Sequence, residues 1–380
     1  VPARRTRSPR LRWPQRISGA LVAGAAVAAL LGTAGTLHLS STLDAVERVD
    51  TGDALRSDEE FDDSVQNFLL VGSDTREGAD PNAIDFGSMG DEGEVGGRRS
   101  DTMMVLRLDP KTGESAVLSL PRDLWVDVAG ADRQDRLNGA YAKSIETLIE
   151  TVTSELGIPI DHYVEVDFVG FKDLVDAVGG IDVWFDLPTR DRNTGLRIET
   201  PGCHRLDGVQ ALAYVRARHF QQRLNGDWID DESADLGRMS RQRDFLQRAV
   251  DAAVEKAAGD PTSIGKLVGI AVDTLRVDEG LDLPALAERL SRVAGGDIQS
   301  YALPVEDAEI DGNRVLLLDE EEAFLLLSYF RGEPPPALVD PNGTPAPVPA
   351  ETAPPATAAP APPPTGQAVG IVPDADRQCG

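Results

Sequence analysis

Between Arg16 and Asp44 the chain carries no charged residue, and this gap constrains its folding more than any other feature. An apolar helix needs about 20 residues to cross a bilayer. The run "ISGALVAGAAVAALLGTAGTLHL", residues 17–39, is long enough. Arg4, Arg5, Arg7, Arg10, Arg12 and Arg16 precede it, and acidic residues follow. Because basic flanks stay on the cytoplasmic side, residues 1–16 are expected in the cytoplasm and everything beyond residue 39 outside. A cleaved signal peptide is the alternative, but the run is long for one and no clear small-x-small site ends it. The sequence therefore predicts a single-pass, uncleaved anchor in the cell membrane, with the bilayer as a partner.

The 380 residues have a formal net charge of -27 and are 41% hydrophobic, enough for a real core. Such acidity argues against a nucleic-acid partner, whose binding surface would be basic. Arginine outnumbers lysine 32 to 5, so the cations are mostly planar forks suited to phosphate and carboxylate. The same bias points to a high-GC, actinobacterial genome. Two cysteines, Cys203 and Cys379, fit an oxidising exterior, where they can form one internal disulfide or Cys379 can link to another chain.

After the anchor, residues 40–64 read as an acidic stalk, and a globular domain is expected over 65–331. Thirteen of the 26 prolines lie between Pro334 and Pro364, so residues 332–366 read as a Pro-rich linker that cannot bury a core, followed by a Cys-bearing tail, 367–380. Within the domain, "NFLLVG" is an apolar run of strand length. "DTMMVLRLD", "PKTGE" and "SAVLSLP" read as strand, turn and strand. Ile145, Leu148, Ile149, Val152 and Leu156 recur at helical spacing, and "VGFKDLVDAVGG" reads as a helix stopped by Gly179 and Gly180. "IDHYVEVDF" and "IDVWF" read as strands, a long helix is expected over 236–258 and a closing one over 320–330. This alternation predicts an α/β layered domain with a mixed sheet.

Some apparent motifs carry no chemistry. "SIGK" and "KTG" match acyl-enzyme motifs only in reversed order. "GDPTSIGKL" lacks the spacing and hydroxyl of a phosphate-cradling loop. His38, His162, His204 and His219 show no zinc spacing. The informative charges stand where strands end. Asp74 and Arg76 follow an apolar strand; Arg98, Arg99 and Asp101 precede the next; Arg122 and Asp123 end a third. "YVRARH" adds Arg216 and Arg218, which would share one face if residues 215–219 were extended. "ADLGRMSRQ" adds Asp235, Arg238, Arg241 and Gln242 at a helix start, the last three at spacings that share a helical face. Sites in open α/β sheets gather at strand ends, so these groups can converge. Carboxylates with several guanidinium forks suit a diphosphate held with magnesium.

The segments "NFLLVGSDTR", "RRSDTMMVLRLDPKTGESAVLSLPRD", "LNGAYA", "VDFVGFKDLVDAVGGIDV", "GCHRLDGVQALAYVRARH" and "DLGRMSRQRDFLQ" together resemble the LytR-CpsA-Psr family of bacterial envelope proteins. The likeness runs from about residue 67 to 246. It implies a three-layer α/β/α sandwich with a mixed central sheet and an apolar pocket for a prenyl chain, residues 65–331 being the catalytic domain. It implies a phosphotransferase that moves a glycopolymer from a polyprenyl diphosphate carrier onto peptidoglycan. By motif match, Asp74 and Asp101 would hold magnesium, with manganese as a substitute. Arg76, Arg99, Arg122, Arg216, Arg218, Arg238 and Gln242 would grip the diphosphate. Asp101, Arg122, Arg216, Arg218 and Asp235 would carry catalysis, with Asp101 or Asp235 assisting deprotonation. The polymer stays open between arabinogalactan, teichoic acid and capsule. A polyprenyl-diphosphate hydrolase and a non-catalytic wall-binding or regulatory protein are the rival readings. The segment "FQQRLNGDWIDDESA", between "YVRARH" and "DLGR", departs from the family pattern and is expected to be a substrate-specific flap.

Overall fold

The structure is a computed structural model that describes residues 45–56, 65–73, 100–260, 263–283, 285, 286, 289, 298–333 and 379. In chain order it begins with β1 (Glu47–Val49), β2 (Gln66–Ser73), β3 (Ser100–Asp109), β4 (Glu114–Leu120), β5 (Trp125–Asp127) and β6 (Gln134–Arg136). Helices α1 (Leu137–Lys143) and α2 (Ile145–Leu156) follow, then β7 (His162–Val166) and α3 (Phe168–Val178). Next come β8 (Ile181–Phe185), β9 (Thr189–Asp191), β10 (Leu196–Ile198), β11 (Gly202–Leu206) and α4 (Gly208–Arg216). The chain continues through β12 (Gln221–Leu224), β13 (Asp227–Asp230), α5 (Ala234–Gly259), α6 (Ser263–Thr274) and β14 (Leu275–Asp278). It closes with β15 (Gln299–Ala302), β16 (Val305–Ile310), β17 (Asn313–Leu318) and α7 (Glu320–Arg331).

Seven strands form one mixed sheet in the order β1-β14-β7-β2-β3-β4-β15. β2 runs parallel to β7 and antiparallel to β3, and β15 runs parallel to β4. The C-terminal ends of β2, β4, β7 and β15 therefore share one end of the sheet with the start of β3. Alternate residues go to opposite faces. Leu69, Val71, Met103 and Val105 pack with α1, α2 and α7, while Phe68 and Leu108 pack with Val272 of α6 and Leu281. A separate core, including Ile181, Phe185, Ile198, Tyr214, Phe220 and Phe245, lies under α3, α4 and the smaller sheets.

Local chemistry explains the helix limits. Asp167 accepts from the Gly170 N–H at 2.7 Å to open α3, and Gly179 closes it at φ 98°. Asp207 and Gln210 form a capping box at α4. One helical pattern in the sequence is divided in two, because Ser144 is extended and its hydroxyl caps α2 through the Thr147 N–H at 2.9 Å.

Two expectations are corrected. The stalk expected over 40–64 is in part built into the domain: β1 pairs in parallel with β14, and Val46 and Val49 are buried. The extended conformation expected at 215–219 begins too early, since α4 continues through Arg216 and only Ala217 leaves the helix. "FQQRLNGDWID" is an ordered hairpin, β12–β13, whose two-residue turn has both Asn225 (φ 53°) and Gly226 (φ 99°) at positive φ. That turn type matches the right-handed twist of paired strands, and Asn-Gly is its strongest sequence signal. The predicted membrane span, residues 17–39, lies outside the described residues, and among the described residues no helix is long and apolar enough to cross a membrane. Cys379 is disulfide-bonded to Cys203 of β11, with Cα atoms 5.5 Å apart.

Candidate functional site

The end of the sheet where β2, β4 and β7 finish collects the polar residues. β2 and β3 pair regularly up to Gly72 opposite Thr102, then Ser73 faces Ser100. Asp101 is thus the extra residue of a β-bulge, a device that disrupts the ladder and re-aims a strand beside functional sites. The bulge is held by the Ser100 hydroxyl, which donates to the Gly72 and Thr102 carbonyls at 2.9 and 2.7 Å. The Asn138 side chain accepts from the Ser100 N–H at 3.0 Å, fixing α1 to the same corner. That is the structural use of Asn in "LNGAYA". Arg122 stands just past β4. Its carbonyl accepts from the Asn138 N–H at 3.0 Å, and its Nε donates to Asp123 Oδ2 at 3.3 Å.

Gln242 joins this corner to the arginine loop. Its side-chain amide donates to Thr102 Oγ1 at 2.7 Å and to the Val215 carbonyl at 3.1 Å. A single side chain thereby connects the residues next to Asp101 and next to Arg216. Arg216 ends α4 with its guanidinium 4.3 Å from the centre of the Phe168 ring, at the start of α3. Arg238 lies one turn before Gln242 on α5 and is buried. The structure thus brings Arg122, Arg216, Arg218, Arg238 and Gln242 to the elements around one sheet end. Asp74, Arg76 and Arg99 lie outside the described residues, as do the side chains of Asp101 and Asp235. Among the described residues, no group of three or more His, Cys, Asp or Glu could hold a metal.

Arg241, which by spacing shares a face with Arg238 and Gln242, has a supporting task instead. It is fully buried, pairs with Asp231 at 2.9 Å, donates to the Ala217 carbonyl at 2.6 Å and lies 4.3 Å over Phe220. Burial lowers its pKa, while Tyr214, Asp231 and Asp191 oppose that effect. It clamps the segment that carries Arg218. Arg243 is a second buried cation that sequence reasoning passed over. Its hydrogen bonds go to the Ser119 and Ser240 hydroxyls at 3.3 and 3.1 Å, and burial pushes its pKa down to about 10. Gly237 matters through contact: a Cβ there would fall 2.1 Å from Ser233 Oγ and 2.8 Å from Asp231 Oδ2. A cavity of about 390 Å³, lined partly by Phe68, His162, Leu281 and Leu286, lies at the opposite end of the sheet, where β2 and β7 begin.

The domain is a mixed α/β fold with Arg122, Arg216 and Gln242 on the elements around one sheet end. The chain belongs to the LytR_cpsA_psr family, whose model matches residues 35–328. It is 34% identical over 308 residues to the "Probable cell wall biosynthesis protein LcpB" of Corynebacterium glutamicum, covering 80% of this chain and 70% of that one. It is 32% identical over 257 residues to the "Polyisoprenyl-teichoic acid--peptidoglycan teichoic acid transferase TagU" of Enterococcus faecalis, covering 67% of this chain and 75% of that one. Among solved structures, the "LytR-Csp2A-Psr enzyme from Actinomyces oris" aligns with a TM-score of 0.58 at 25% identity, covering 75% of this chain and 95% of that one. The six motifs and the mixed sheet therefore identify the family correctly.

Proposed function

We propose that this chain transfers a glycopolymer from a polyprenyl diphosphate carrier to peptidoglycan. The observation that carries the reading is the Gln242 junction, which holds the Asp101 bulge and the end of α4 at Arg216 together. The names of the LcpB and TagU relatives support it. A peptidoglycan hydroxyl oxygen forms a bond to the sugar-bearing phosphorus. The bond from that phosphorus to the bridging oxygen breaks, and polyprenyl phosphate leaves with the electron pair. The hydroxyl proton passes to a carboxylate, Asp101 or Asp235. Arg122, Arg216, Arg218 and Arg238, with Arg76 and Arg99, stabilise the charge on the phosphoryl oxygens, and positioning does most of the work. Asp74 and Asp101 would supply carboxylate oxygens of the kind that suit magnesium, or manganese, which would neutralise diphosphate charge when bound. The α/β/α layering, the anchor at residues 17–39 and an extracytoplasmic domain complete the reading, because the donor lipid is then within reach.

The test incubates the full chain with a labelled polyprenyl-diphosphate glycan, peptidoglycan and magnesium. Label joined to peptidoglycan through a phosphodiester is expected, and Arg216→Ala/Arg218→Ala should abolish it. Release of glycan phosphate to water alone would replace transfer with hydrolysis. No turnover, with wall binding intact in the double variant, would sink the enzyme reading.

A further inference from the structure

Arg241 and Arg248 of α5 each have an acid: Arg241 pairs with Asp231 at 2.9 Å and Arg248 with Asp244 at 2.8 Å. Arg243, between them, has none among the described residues. It is 5% exposed, and its guanidinium donates to two hydroxyls, Ser119 Oγ at 3.3 Å and Ser240 Oγ at 3.1 Å. Burial lowers its pKa, and no acid among the described residues opposes that effect. Arginine is almost never fully buried unless paired, because a charge taken out of water without a countercharge is costly. Arg243 is therefore half of an ion pair whose other half has to come from outside the chain.

The sheet indicates the kind of anion. Ser119 of β4 stands opposite Met104 of β3, Met104 opposite Leu70 of β2, and Leu70 opposite Val164 of β7. Directly opposite residues share a face, so Ser119 begins a row that is otherwise apolar. Leu70 and Val164, with Leu106 next along the same face of β3, are only half-buried, although their strands are central and α6 packs on this face. Val268 of α6 is half-buried as well. The face is thus partly open, apolar along its length, with an acid-less cation at its β4 side. It also continues to the candidate site. Thr102, which accepts from Gln242, lies on this face two residues before Met104, about 7 Å along the strand. Gln242 and Arg243 are consecutive on α5, so the helix presents its amide to the Thr102 row and its guanidinium to the next row inward. An anion that carries an apolar tail suits both features at once.

We propose that Arg243, with the Ser119 and Ser240 hydroxyls, holds the phosphate that stays on the polyprenyl chain, the leaving group of the transfer. When the bond from the sugar-bearing phosphorus to the bridging oxygen breaks, the electron pair remains on that oxygen, now part of polyprenyl phosphate. A preorganised guanidinium beside that oxygen stabilises the charge as it develops. Arg243 is one row inward of the Gln242 junction and beside the apolar face, where the charged end of a lipid product belongs. Arg122, Arg216 and Arg218 are left to the phosphate that moves. The inference rests on the proposed transferase reading and divides its cations between the phosphate transferred and the phosphate left behind.

The experiment measures binding of geranylgeranyl phosphate to the full chain in detergent by calorimetry, with geranylgeraniol and inorganic phosphate as parallel probes, and the melting temperature of the unliganded chain. Arg243→Gln and Arg243→Met both remove the charge, the first keeping a polar end and the second an apolar volume. Each is expected to bind geranylgeranyl phosphate about tenfold more weakly, as loss of a charge-assisted contact implies. Geranylgeraniol binding should be unchanged. The melting temperatures should hold or rise, because a buried charge without a countercharge is gone. Unchanged geranylgeranyl phosphate affinity in both variants would overturn the proposal, as would a loss shared equally by geranylgeraniol. A melting temperature lowered in both variants would make Arg243 a structural cation, and inorganic phosphate bound as tightly as the lipid would make this a free-anion site; either result also overturns it. Failure of the transferase reading looks different: the variants would still lose geranylgeranyl phosphate, but the parent chain would transfer nothing.

Discussion

Arg241→Met removes the clamp on the arginine loop. In the parent, Arg241 and Asp231 pair at 2.9 Å with side chains 0% and 4% exposed. Methionine nearly fills the volume but leaves the Asp231 carboxylate buried without that countercharge and the Ala217 carbonyl without that donor. Breaking such a pair on one side costs about 3–5 kcal/mol, a large part of the ~5–15 kcal/mol that holds a domain together. Urea unfolding should show this loss as a lower midpoint with the slope retained. Adding Asp231→Asn should restore part of it, because no unpaired charge is then left inside. Transfer activity should fall further than stability accounts for at a temperature where the variant is folded, since the 217–220 segment carries Arg218. A loss below about 1 kcal/mol would refute the reasoning, because an exposed pair behaves that way and a buried one does not.

Two further outcomes follow from contacts elsewhere. Gly208→Ala would place a Cβ 2.5 Å from the Lys172 carbonyl oxygen and 2.7 Å from its Cα, so α3 and α4 must part, and a cost of about 1–3 kcal/mol is expected. Differential scanning calorimetry should show a lower melting temperature, together with weaker diphosphate binding as Arg216 shifts from Phe168; an unchanged transition would refute the close packing. Burial raises the Asp161 pKa against the opposing Asn67 N–H and Arg56 contacts. A carboxyl shifted upward on folding contributes stability that is complete below the ordinary aspartate range and lost as pH rises through the raised value. Asp161→Asn should therefore reduce the fall in unfolding free energy between about pH 4 and pH 7. A parent and variant with equal pH slopes would exclude that assignment.

Features of this fold with local causes are legible in its residues, and those with distant causes are not. Helix ends were legible because their causes lie within four residues: Gly179 stops α3, and the 320–330 pattern becomes α7 after the Asp319 cap. Ser144 shows a limit, since helical periodicity continues across the cap that divides α1 from α2. The β12–β13 hairpin has a local signal, "NG", but the segment's departure from the family pattern masks it. β1 was missed for another reason. Three residues in an acidic stretch look like a tether until β14, more than two hundred residues later, offers them an edge.

By itself the sequence determined the family that its motifs identify and an acidic composition that leaves its arginines as local exceptions. Tertiary structure decided what each buried cation faces. Arg238 and Arg241 are equivalent in type and close in spacing, yet Arg241 is turned to Asp231 and Ala217, while Gln242 closes the junction between β3 and α4. The physical reason is that a side chain's task depends on what faces it across the fold. Asp231, Thr102 and Val215 reach that helix only after the sheet and the second core have formed.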